Sequence, residues 1–360
     1  MVVDAEVVTP PAATKEVGGG PPAAAAAVAG GGRAAPDMGR PNANEDHLAP
    51  LLRDKLMPLR SRWLAAAPGA RAGLRRALEH PRLGTPGVCN FVDARTKLRM
   101  QATDARTKWL DGEWLDGEVA AALKAGITQV VVVAAGFDTR SYRFGAEAAA
   151  KGQAVSFFEV DLPAASKRKQ ELVSELFPAA AHPRPAYIAA DLAAVPLMDA
   201  LEGCGFDASK PALFTIEGLI YYLPDSAVAR LFGGVLARAA PGSRVAFDSL
   251  SRDVLEGARQ APAYKVTARS VANKGEPFIS GLPDAPASMQ AFFDGPAAGA
   301  AAADAPGGAP ARRLKLLEFA DAQSMAARQL PHLAWPEAGA AAPPPMLSFY
   351  CFATAEVVAA

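Results

Sequence analysis

Five short apolar runs, separated by segments of helical composition, constrain the fold of this chain more than any other feature of its sequence. Successive runs begin 26 to 31 residues apart, which is the length of one strand, one helix and their connections. Alternation of this kind favours a Rossmann-like α/β fold with a doubly wound, mostly parallel sheet. The predicted strands are QVVVVAA (129–135), VSFFEVD (155–161), PAYIAAD (185–191), ALFTIEG (212–218) and SRVAFDSL (243–250).

Prolines mark the starts of two predicted helices between these strands. Pro163 precedes AASKRKQELVSELF, and Pro224 precedes a second helical run that ends before Pro241. Proline is tolerated at a helix start because the N–H that it lacks would have no intrahelical partner there. Within the first of these helices, Lys169 is expected to lie on a solvated face. A later apolar run, MLSFYCFATAE (346–356), predicts a final edge strand that could run antiparallel.

Composition divides the chain into three parts. Residues 1–45 are rich in Ala, Gly and Pro, and we expect disorder because large side chains are too few to offset the entropy of ordering. Residues 46–128 carry Leu, Arg and Trp at helical spacing and predict a helical cap with a cofactor-closing segment. Residues 129–360 form the sheet domain, with a low-complexity insertion at about 282–310 that we expect on the surface.

Two short sequences are duplicated in tandem inside the cap. Asp-Ala-Arg-Thr-Lys occurs at 93–97 and 104–108, and Trp-Leu-Asp-Gly-Glu occurs at 109–113 and 114–118. Copies this short do not form a solenoid period, and they predict one lengthened helix. The sequence alone leaves open which copy is functional.

Charge and cysteine content narrow the partners that we expect. Lys plus Arg and Asp plus Glu number 37 each, so no net field favours nucleic acid or an anionic membrane. No apolar run is long enough to cross a bilayer, and the three cysteines lack the spacing of zinc ligands, so no metal site is expected. We expect a cytoplasmic protein, although the Ala-rich N-terminus leaves targeting to an organelle open. The oligomeric state is not predicted.

Acidic residues stand at the ends of several predicted strands, where an open parallel sheet binds its ligands. Asp161 ends the second strand and could accept hydrogen bonds from both hydroxyls of a ribose. Asp191 ends the third and could accept from the amine of an adenine, with Leu192 as an apolar wall. Glu217 falls at the end of the fourth. This order matches a nucleoside cofactor, although an NAD enzyme would share its first features.

The turn after the first predicted strand separates the two cofactor classes. Dinucleotide folds need Gly-x-Gly-x-x-Gly, so that the backbone can approach a pyrophosphate. This turn is AAGFD (134–138), with one glycine and one acid. Asp138 would repel a pyrophosphate but would suit the ammonium group of a methionine moiety. The loop therefore favours S-adenosylmethionine over NAD.

The run QVVVVAAGFDTRSYRF, followed in order by FFEVDLP, AADL and IEGLIYYLP, resembles the leucine carboxyl methyltransferase family over roughly residues 88–250. In that family the loop is usually Gly-x-Gly-x-Asp-Thr, and Ala134 replaces its first glycine here. The resemblance implies a class I methyltransferase fold with S-adenosylmethionine as its cofactor. The Asp-Thr-Arg-Ser-Tyr-Arg continuation looks more like the bacterial-type O-methyltransferase branch than like the branch that methylates a protein phosphatase.

The same resemblance implies roles for individual residues. It implies that Asp161 contacts the ribose, that Glu217 lies beside the methionine moiety or the reaction pocket, and that an arginine before the first strand pairs with the cofactor carboxylate. For that arginine we choose Arg106, with Arg95 as the alternative. The other predicted cofactor-binding residues are Ala134, Gly136, Asp138, Asp191 and Leu192.

These features predict an enzyme that methylates a carboxylate or hydroxyl oxygen of a small-molecule or peptide acceptor. Methyl transfer mainly requires that the acceptor, the methyl carbon and the sulfur be aligned, and a carboxylate acceptor needs no general base. Tyr222 could line the acceptor pocket or could serve only in packing, and no histidine is assigned a catalytic role. Three alternatives stay open: a protein C-terminal leucine carboxyl methyltransferase, an NAD(P)-dependent oxidoreductase, and a non-catalytic module that binds the cofactor.

Overall fold

One mixed sheet organises the described part of the chain. The computed structural model describes residues 7–8, 48, 114–273, 275–304, 312–321, 324 and 349–360. Its strands are β1 (Val7–Val8), β2 (Gln129–Val133), β3 (Ser156–Asp161), β4 (Ala186–Ala189), β5 (Leu213–Ile216), β6 (Arg244–Leu250), β7 (Arg312–Asp321) and β8 (Tyr350–Ala359).

The strands lie in the order β1-β4-β3-β2-β5-β6-β8-β7. From β4 to β6 all neighbours are parallel, and β2 pairs with β3 on one side and with β5 on the other. The connections that follow β2 and β5 therefore leave the sheet in opposite directions, and a crevice opens at the carboxyl ends of these two strands. The predicted doubly wound, mostly parallel sheet is confirmed.

The central strands are covered on both faces. All five residues of β2 are buried, as expected of a parallel strand between two layers of helices. The observed strands end up to two residues before the predicted ones, because the residues at their carboxyl ends leave the ladder and form the loops of the crevice.

Helices fill the connections between strands. The two predicted proline-started helices are confirmed, and they are α3 and α5 in the following set. The helices are α1 (Leu115–Lys124), α2 (Arg140–Ala150), α3 (Pro163–Leu176), α4 (Leu197–Ala200), α5 (Asp225–Arg238), α6 (Arg252–Leu255), α7 (Pro262–Ala272), α8 (Pro286–Phe292) and α9 (Ala298–Asp304). A 3-10 turn, Ile220–Tyr222, follows β5, and a π-helical segment, Phe293–Ala297, joins α8 to α9.

The final strand runs antiparallel to β6, but it is not at the edge of the sheet. β7 pairs with its outer side, so the predicted edge position of β8 is wrong. The sequence of β7, RRLKLLEFAD, buries only Leu314 and Ala320, and charged side chains occupy much of the rest. Charged residues are typical of edge strands, where they discourage pairing with another chain, and they hide the apolar alternation of a strand.

The predicted surface insertion at 282–310 differs from the structure. Its described residues form α8, the π-helical segment and α9, and Met289, Phe293 and Ala301 are buried in the main core. Close packing against α5 is possible because Gly233 has no side chain: a Cβ atom there would lie 2.7 Å from the Cβ of Ala300. Residues 305–310 lie outside the described residues.

The N-terminal parts of the chain are described only in small pieces. Val7–Val8 pair antiparallel with β4, which differs from the predicted disorder, since two β-branched residues can extend an open sheet edge. Of the predicted cap, Leu48 and the segment from Trp114 onward are described, including α1. The other residues of 1–113 lie outside the described part.

Candidate functional site

The turn after β2 lies at the centre of the crevice. Ala134 has a φ angle of 55° and Gly136 a φ angle of 41°, so two residues of this turn adopt the left-handed conformation. The intervening Ala135 donates its N–H to the carbonyl of Val160 at 3.1 Å, which fastens the turn to β3. The carbonyl of Ala135 accepts the N–H of Asp138 at 2.8 Å and closes the turn.

Asp161 ends β3 directly beside this turn. Its Oδ2 accepts the N–H of Gly136 at 2.6 Å, and its Oδ1 accepts the N–H of Leu162 at 2.7 Å. The side chain is partly exposed, and each carboxylate oxygen has further acceptor capacity beyond one hydrogen bond. The structure thus places Asp161, the residue predicted to bind ribose, next to the predicted cofactor loop.

The segment after β4 runs alongside the end of β3. The N–H of Ala190 donates to the carbonyl of Asp161 at 2.8 Å. Asp191 follows as an exposed side chain whose Oδ1 accepts the N–H of Ala193 at 2.9 Å, and Leu192 is half-buried against the main core. The two residues predicted to bind adenine therefore lie on the same edge of the sheet as Asp161.

Arg140 is a buried cation that pairs with three carboxylates at the crevice, and the sequence prediction missed it. Its side chain is 1% exposed. Its Nε donates to Asp116 at 2.8 Å, and its Nη1 donates to Asp138 at 2.5 Å and to Glu217 at 3.1 Å. A buried cation at the first turn of α2 opposes the helix dipole, and these carboxylates offset that cost. The sequence carried only a weak signal for this role, an arginine at the start of a helix two residues after Asp138, because Asp116 and Glu217 are distant in the chain.

The second copy of one duplicated sequence reaches the crevice through Asp116. This residue belongs to the Trp-Leu-Asp-Gly-Glu copy at 114–118, which begins α1. Its carboxylate also accepts hydrogen bonds from Arg143, at 2.6 Å and 3.0 Å. Two arginines of α2 are thereby tied to α1. The first copy, at 109–113, lies outside the described residues.

Asp138 faces Arg140. Both of its oxygens accept from this residue, Oδ1 from the backbone N–H at 2.7 Å and Oδ2 from the guanidinium. Burial alone would raise the pKa of the Asp138 carboxyl, but Arg140 and, more weakly, Lys169 outweigh it and hold the pKa below its ordinary value. The Asp138 side chain is 12% exposed and that of Glu217 is 29% exposed. Glu217 is thus the more accessible carboxylate for a ligand.

Lys169 lies inside the protein, so its predicted position on a solvated face is wrong. Its side chain and that of Glu159 are each 2% exposed, and Nζ lies 2.8 Å from the Glu159 carboxylate. The same Nζ donates to the carbonyl of Ala135 at 3.3 Å. Lys169 shares the inward face of α3 with Ser166, Leu172 and Val173, at the three- and four-residue spacing of one helix face.

Tyr222 lies in the turn after β5. Its half-buried ring packs edge-on against Tyr221, with 4.8 Å between ring centroids, and lies 5.7 Å from the ring of Phe278. The neighbouring Tyr221 hydroxyl donates to the carboxylate of Asp248 at 3.4 Å. Packing therefore accounts for part of the position of Tyr222, and its role at an acceptor pocket stays a prediction. Arg106 and Arg95 lie outside the described residues.

A model of the family described as leucine carboxyl methyltransferase matches residues 88–236, which span the loop, Asp161, Asp191 and Glu217. Over these residues the chain is similar to the leucine carboxyl methyltransferase family. The match confirms the resemblance to this family that the sequence motifs predicted. The match ends within α5, so β6, β7 and β8 lie beyond it.

Curated relatives show a similarity of comparable extent. A protein of Mycolicibacterium vanbaalenii is 42% identical over 125 residues, which cover 34% of this chain and 38% of that protein. A protein of Mycobacterium avium is 35% identical over 167 residues, covering 45% of this chain and 50% of that protein. Both are provisionally named S-adenosyl-L-methionine-dependent methyltransferases. The chain thus spans half or less of the length of these relatives.

A solved structure of a DUF574 family protein from Streptomyces avermitilis is 17% identical, with a TM-score of 0.45, and the match covers 72% of this chain and 88% of that one. We assign the fold of this chain from its own strand order, which has a parallel centre and an antiparallel β8 between β6 and β7. This is the Rossmann-like arrangement of class I methyltransferases. None of the described helices is long and apolar enough to cross a membrane.

Proposed function

We propose that this chain is an S-adenosylmethionine-dependent methyltransferase that methylates a carboxylate or hydroxyl oxygen of a small molecule. The observation that carries the proposal is the pairing of Asp161 with the turn after β2. The carboxylate holds the N–H of Gly136 at 2.6 Å and keeps acceptor capacity at the crevice. In a chain of this family, that combination suits a nucleoside whose ribose hydroxyls donate to Asp161.

The nucleoside end of the cofactor would extend from Asp161 toward the segment after β4. Asp191 would accept from the exocyclic amine of adenine, and Leu192 would supply an apolar wall. Phe137 and Leu162 add apolar surface on the loop side, since they are 41% and 51% exposed. Exposed large apolar side chains next to an acidic crevice are consistent with a flat ligand that covers them.

The methionine end of the cofactor would lie on the side of Glu217. We assign the contact with the ammonium group to Glu217 rather than to Asp138, because both oxygens of Asp138 accept from Arg140. Arg140 holds Glu217 in place from the buried side, at 3.1 Å. Arg106, or Arg95 in its place, would pair with the cofactor carboxylate, as the family resemblance implies.

The chemical demand on the protein is small. When bound, S-adenosylmethionine supplies a methyl group on a positively charged sulfur, which is an activated leaving group. The protein's own residues would orient the acceptor oxygen along the line of attack and exclude water. A carboxylate acceptor is already a nucleophile at neutral pH, whereas a hydroxyl acceptor would need a base. Tyr222, beside the end of β5, would line the acceptor side.

One structural observation disfavours an NAD(P)-dependent oxidoreductase. Dinucleotide folds bind pyrophosphate at the N-terminus of the helix that follows the first strand of the sheet. Here that helix is α2, and the carboxylate of Asp138 already accepts its first N–H, from Arg140, at 2.7 Å. A pyrophosphate would have to displace a carboxylate that is also paired with a buried guanidinium.

The choice of a small-molecule acceptor rests on the Asp-Thr-Arg-Ser-Tyr-Arg continuation, which resembles the bacterial-type branch of the family. A protein C-terminal leucine carboxylate is the second candidate and requires the same chemistry. The direct test incubates the full chain with S-adenosylmethionine labelled at the methyl carbon and with panels of carboxylic acids, alcohols, phenols and peptides ending in leucine. We expect label in a small carboxylic acid, alcohol or phenol. Transfer only to leucine-ended peptides would support the second candidate. Cofactor binding without transfer would support a non-catalytic module.

A further inference from the structure

A buried ion pair lies directly beneath the turn after β2. It joins Lys169, on α3, to Glu159, on β3, with 2.8 Å between Nζ and the carboxylate. Burial raises the pKa of the Glu159 carboxyl, and the charge of Lys169 acts in the opposite direction. The pair is also in contact with an aromatic network: the Tyr142 hydroxyl lies 3.4 Å from the Glu159 carboxylate and 2.9 Å from the hydroxyl of Tyr187.

A buried ion pair is a poor means of stabilising a fold. Removing two charges from water costs free energy that their attraction often does not fully recover, and well-packed apolar residues commonly stabilise a protein equally well. Fold stability alone therefore gives little reason for Lys169 and Glu159 to occupy fully buried positions. Another contact of the lysine offers a reason.

A further contact of this cluster reaches the turn itself. Lys169 Nζ donates to the carbonyl of Ala135 at 3.3 Å. Ala135 stands between the two left-handed residues, Ala134 and Gly136, whose φ angles are 55° and 41°. The left-handed conformation costs an alanine free energy and persists only where surrounding contacts hold it. Lys169 is placed to supply one of those contacts, and the N–H of Gly136 is the group that meets Asp161.

We propose that Lys169 is a positioning residue that holds the turn after β2 in its cofactor-binding conformation, and that Glu159 holds Lys169 in place. This inference rests on the proposed function, because the ligand of the turn is S-adenosylmethionine. Lys169 itself touches neither the cofactor nor the acceptor. It acts through the Ala135 carbonyl, and the effect is passed to Gly136 and Asp161.

A single substitution does not distinguish this role from a purely structural one. Lys169→Met leaves a buried, uncompensated Glu159 and is expected to lower the melting temperature for that reason alone. The double variant Glu159→Leu with Lys169→Met removes both charges, so most of that loss is recovered. The donor to Ala135 is still missing from the double variant. Lys167→Met, at an exposed position of the same helix, is the matched control, and Lys169→Arg keeps a buried donor.

Two measurements on the full chain test the proposal. The first is calorimetric titration with S-adenosylhomocysteine, for which we expect about tenfold weaker binding by the double variant, the effect of roughly one charge-assisted hydrogen bond. Lys169→Arg should retain most of the affinity, and Lys167→Met should bind like the wild type. The second is hydrogen exchange without ligand, in which peptides covering 134–140 of the double variant should exchange faster while peptides from α5 do not change.

If the double variant binds S-adenosylhomocysteine with wild-type affinity, or if exchange at 134–140 does not change, Lys169 only stabilises the fold. If the wild type itself binds neither S-adenosylhomocysteine nor S-adenosylmethionine, the proposed function fails, and this inference fails with it. If the double variant does not fold, the same exchange measurement is made on Lys169→Arg, which keeps a donor, and on Lys169→Met, which lacks one. Unchanged exchange at 134–140 in Lys169→Met then overturns the proposal.

Discussion

The Oε2 oxygen of Glu217 lies 3.1 Å from the Nη1 nitrogen of Arg140. Glu217 follows β5, and Arg140 begins α2. These two residues come from the neighbouring strand-to-helix connections whose divergence opens the crevice. Their contact joins the two sides of the candidate site across the crevice at the carboxyl ends of β2 and β5. Because Arg140 is buried and Glu217 is partly exposed, the pair joins the interior of the protein to the surface that a ligand would meet.

Glu217 and Asp138 both pair with Arg140, but we predict that Glu217 contributes mainly to cofactor binding and Asp138 mainly to fold stability. Glu217→Gln should weaken S-adenosylmethionine binding about 10- to 100-fold, the effect of losing a charged hydrogen bond, with little change in melting temperature. Asp138→Asn should lower the free energy of unfolding by about 3 kcal/mol, since Arg140 loses a buried partner. Calorimetry and thermal melts on both variants check this. Equal stability losses in the two would contradict the division of roles.

The acid side of the stability profile should depend on Asp138. Its pKa is lowered in the folded protein, so ionised Asp138 stabilises the fold above the unfolded value of about 4, and this contribution is lost as the pH falls through the folded pKa. Thermal melts of the wild type and Asp138→Asn between neutral pH and about pH 3 should therefore converge at the acid end. A difference in melting temperature that stays constant over the whole range would show that ionisation of Asp138 is not the cause.

Ala134 has a φ angle of 55°, in the region that favours glycine. Ala134→Gly should raise the free energy of unfolding by up to about 1 kcal/mol, because glycine adopts this conformation without strain. Ala135→Gly, at the next residue, is the control, and it should lower stability because Ala135 is buried and has no positive φ. Chemical denaturation of both variants is the measurement. Destabilisation by Ala134→Gly would mean that the methyl group contributes packing that outweighs the strain.

Gly233 and Gly234 are adjacent on α5 and provide a matched pair for the packing of α9. A Cβ on Gly233 would lie 2.9 Å from the backbone carbonyl of Ala297, whereas a Cβ on Gly234 would meet only the side chain of Met198, at 3.7 Å. Gly233→Ala should therefore lower the free energy of unfolding by about 1–3 kcal/mol. Gly234→Ala should be neutral or stabilising by up to about 1 kcal/mol, through helix propensity. Equal effects in chemical denaturation would argue against close packing of 282–304.

The sheet was predictable because its central strands are buried on both faces. Such strands give short, continuous apolar runs like that of β2, which are typical of a parallel sheet between two layers of helices. The strand-end acids were predictable for the same reason, since the end of a strand fixes where its next residue lies. Asp161 and Glu217 accordingly lie at the carboxyl edge of the sheet.

Features that depend on contacts between distant parts of the chain were missed. In Lys167-Arg168-Lys169 the three side chains look alike in sequence, and only the packing of α3 shows that the last one is buried. Residues 282–304 read as loop because Ala, Gly and Pro dominate, although small residues are what permits a helix to approach Gly233. β7 was missed because it is an edge strand whose charged residues hide the alternation of apolar and polar side chains that predicts a strand.

We expect the crevice beside Asp161 to bind a sulfonium nucleoside rather than a dinucleotide. Calorimetric titration of the full chain with S-adenosylmethionine, S-adenosylhomocysteine and NADH tests it most directly, repeated on Asp161→Ala and on Asp199→Ala, an exposed acid of α4, as the control. We predict that the wild type and Asp199→Ala bind the first two ligands and not NADH, and that Asp161→Ala binds none of the three. Binding of NADH alone, or unchanged binding by Asp161→Ala, would contradict the account.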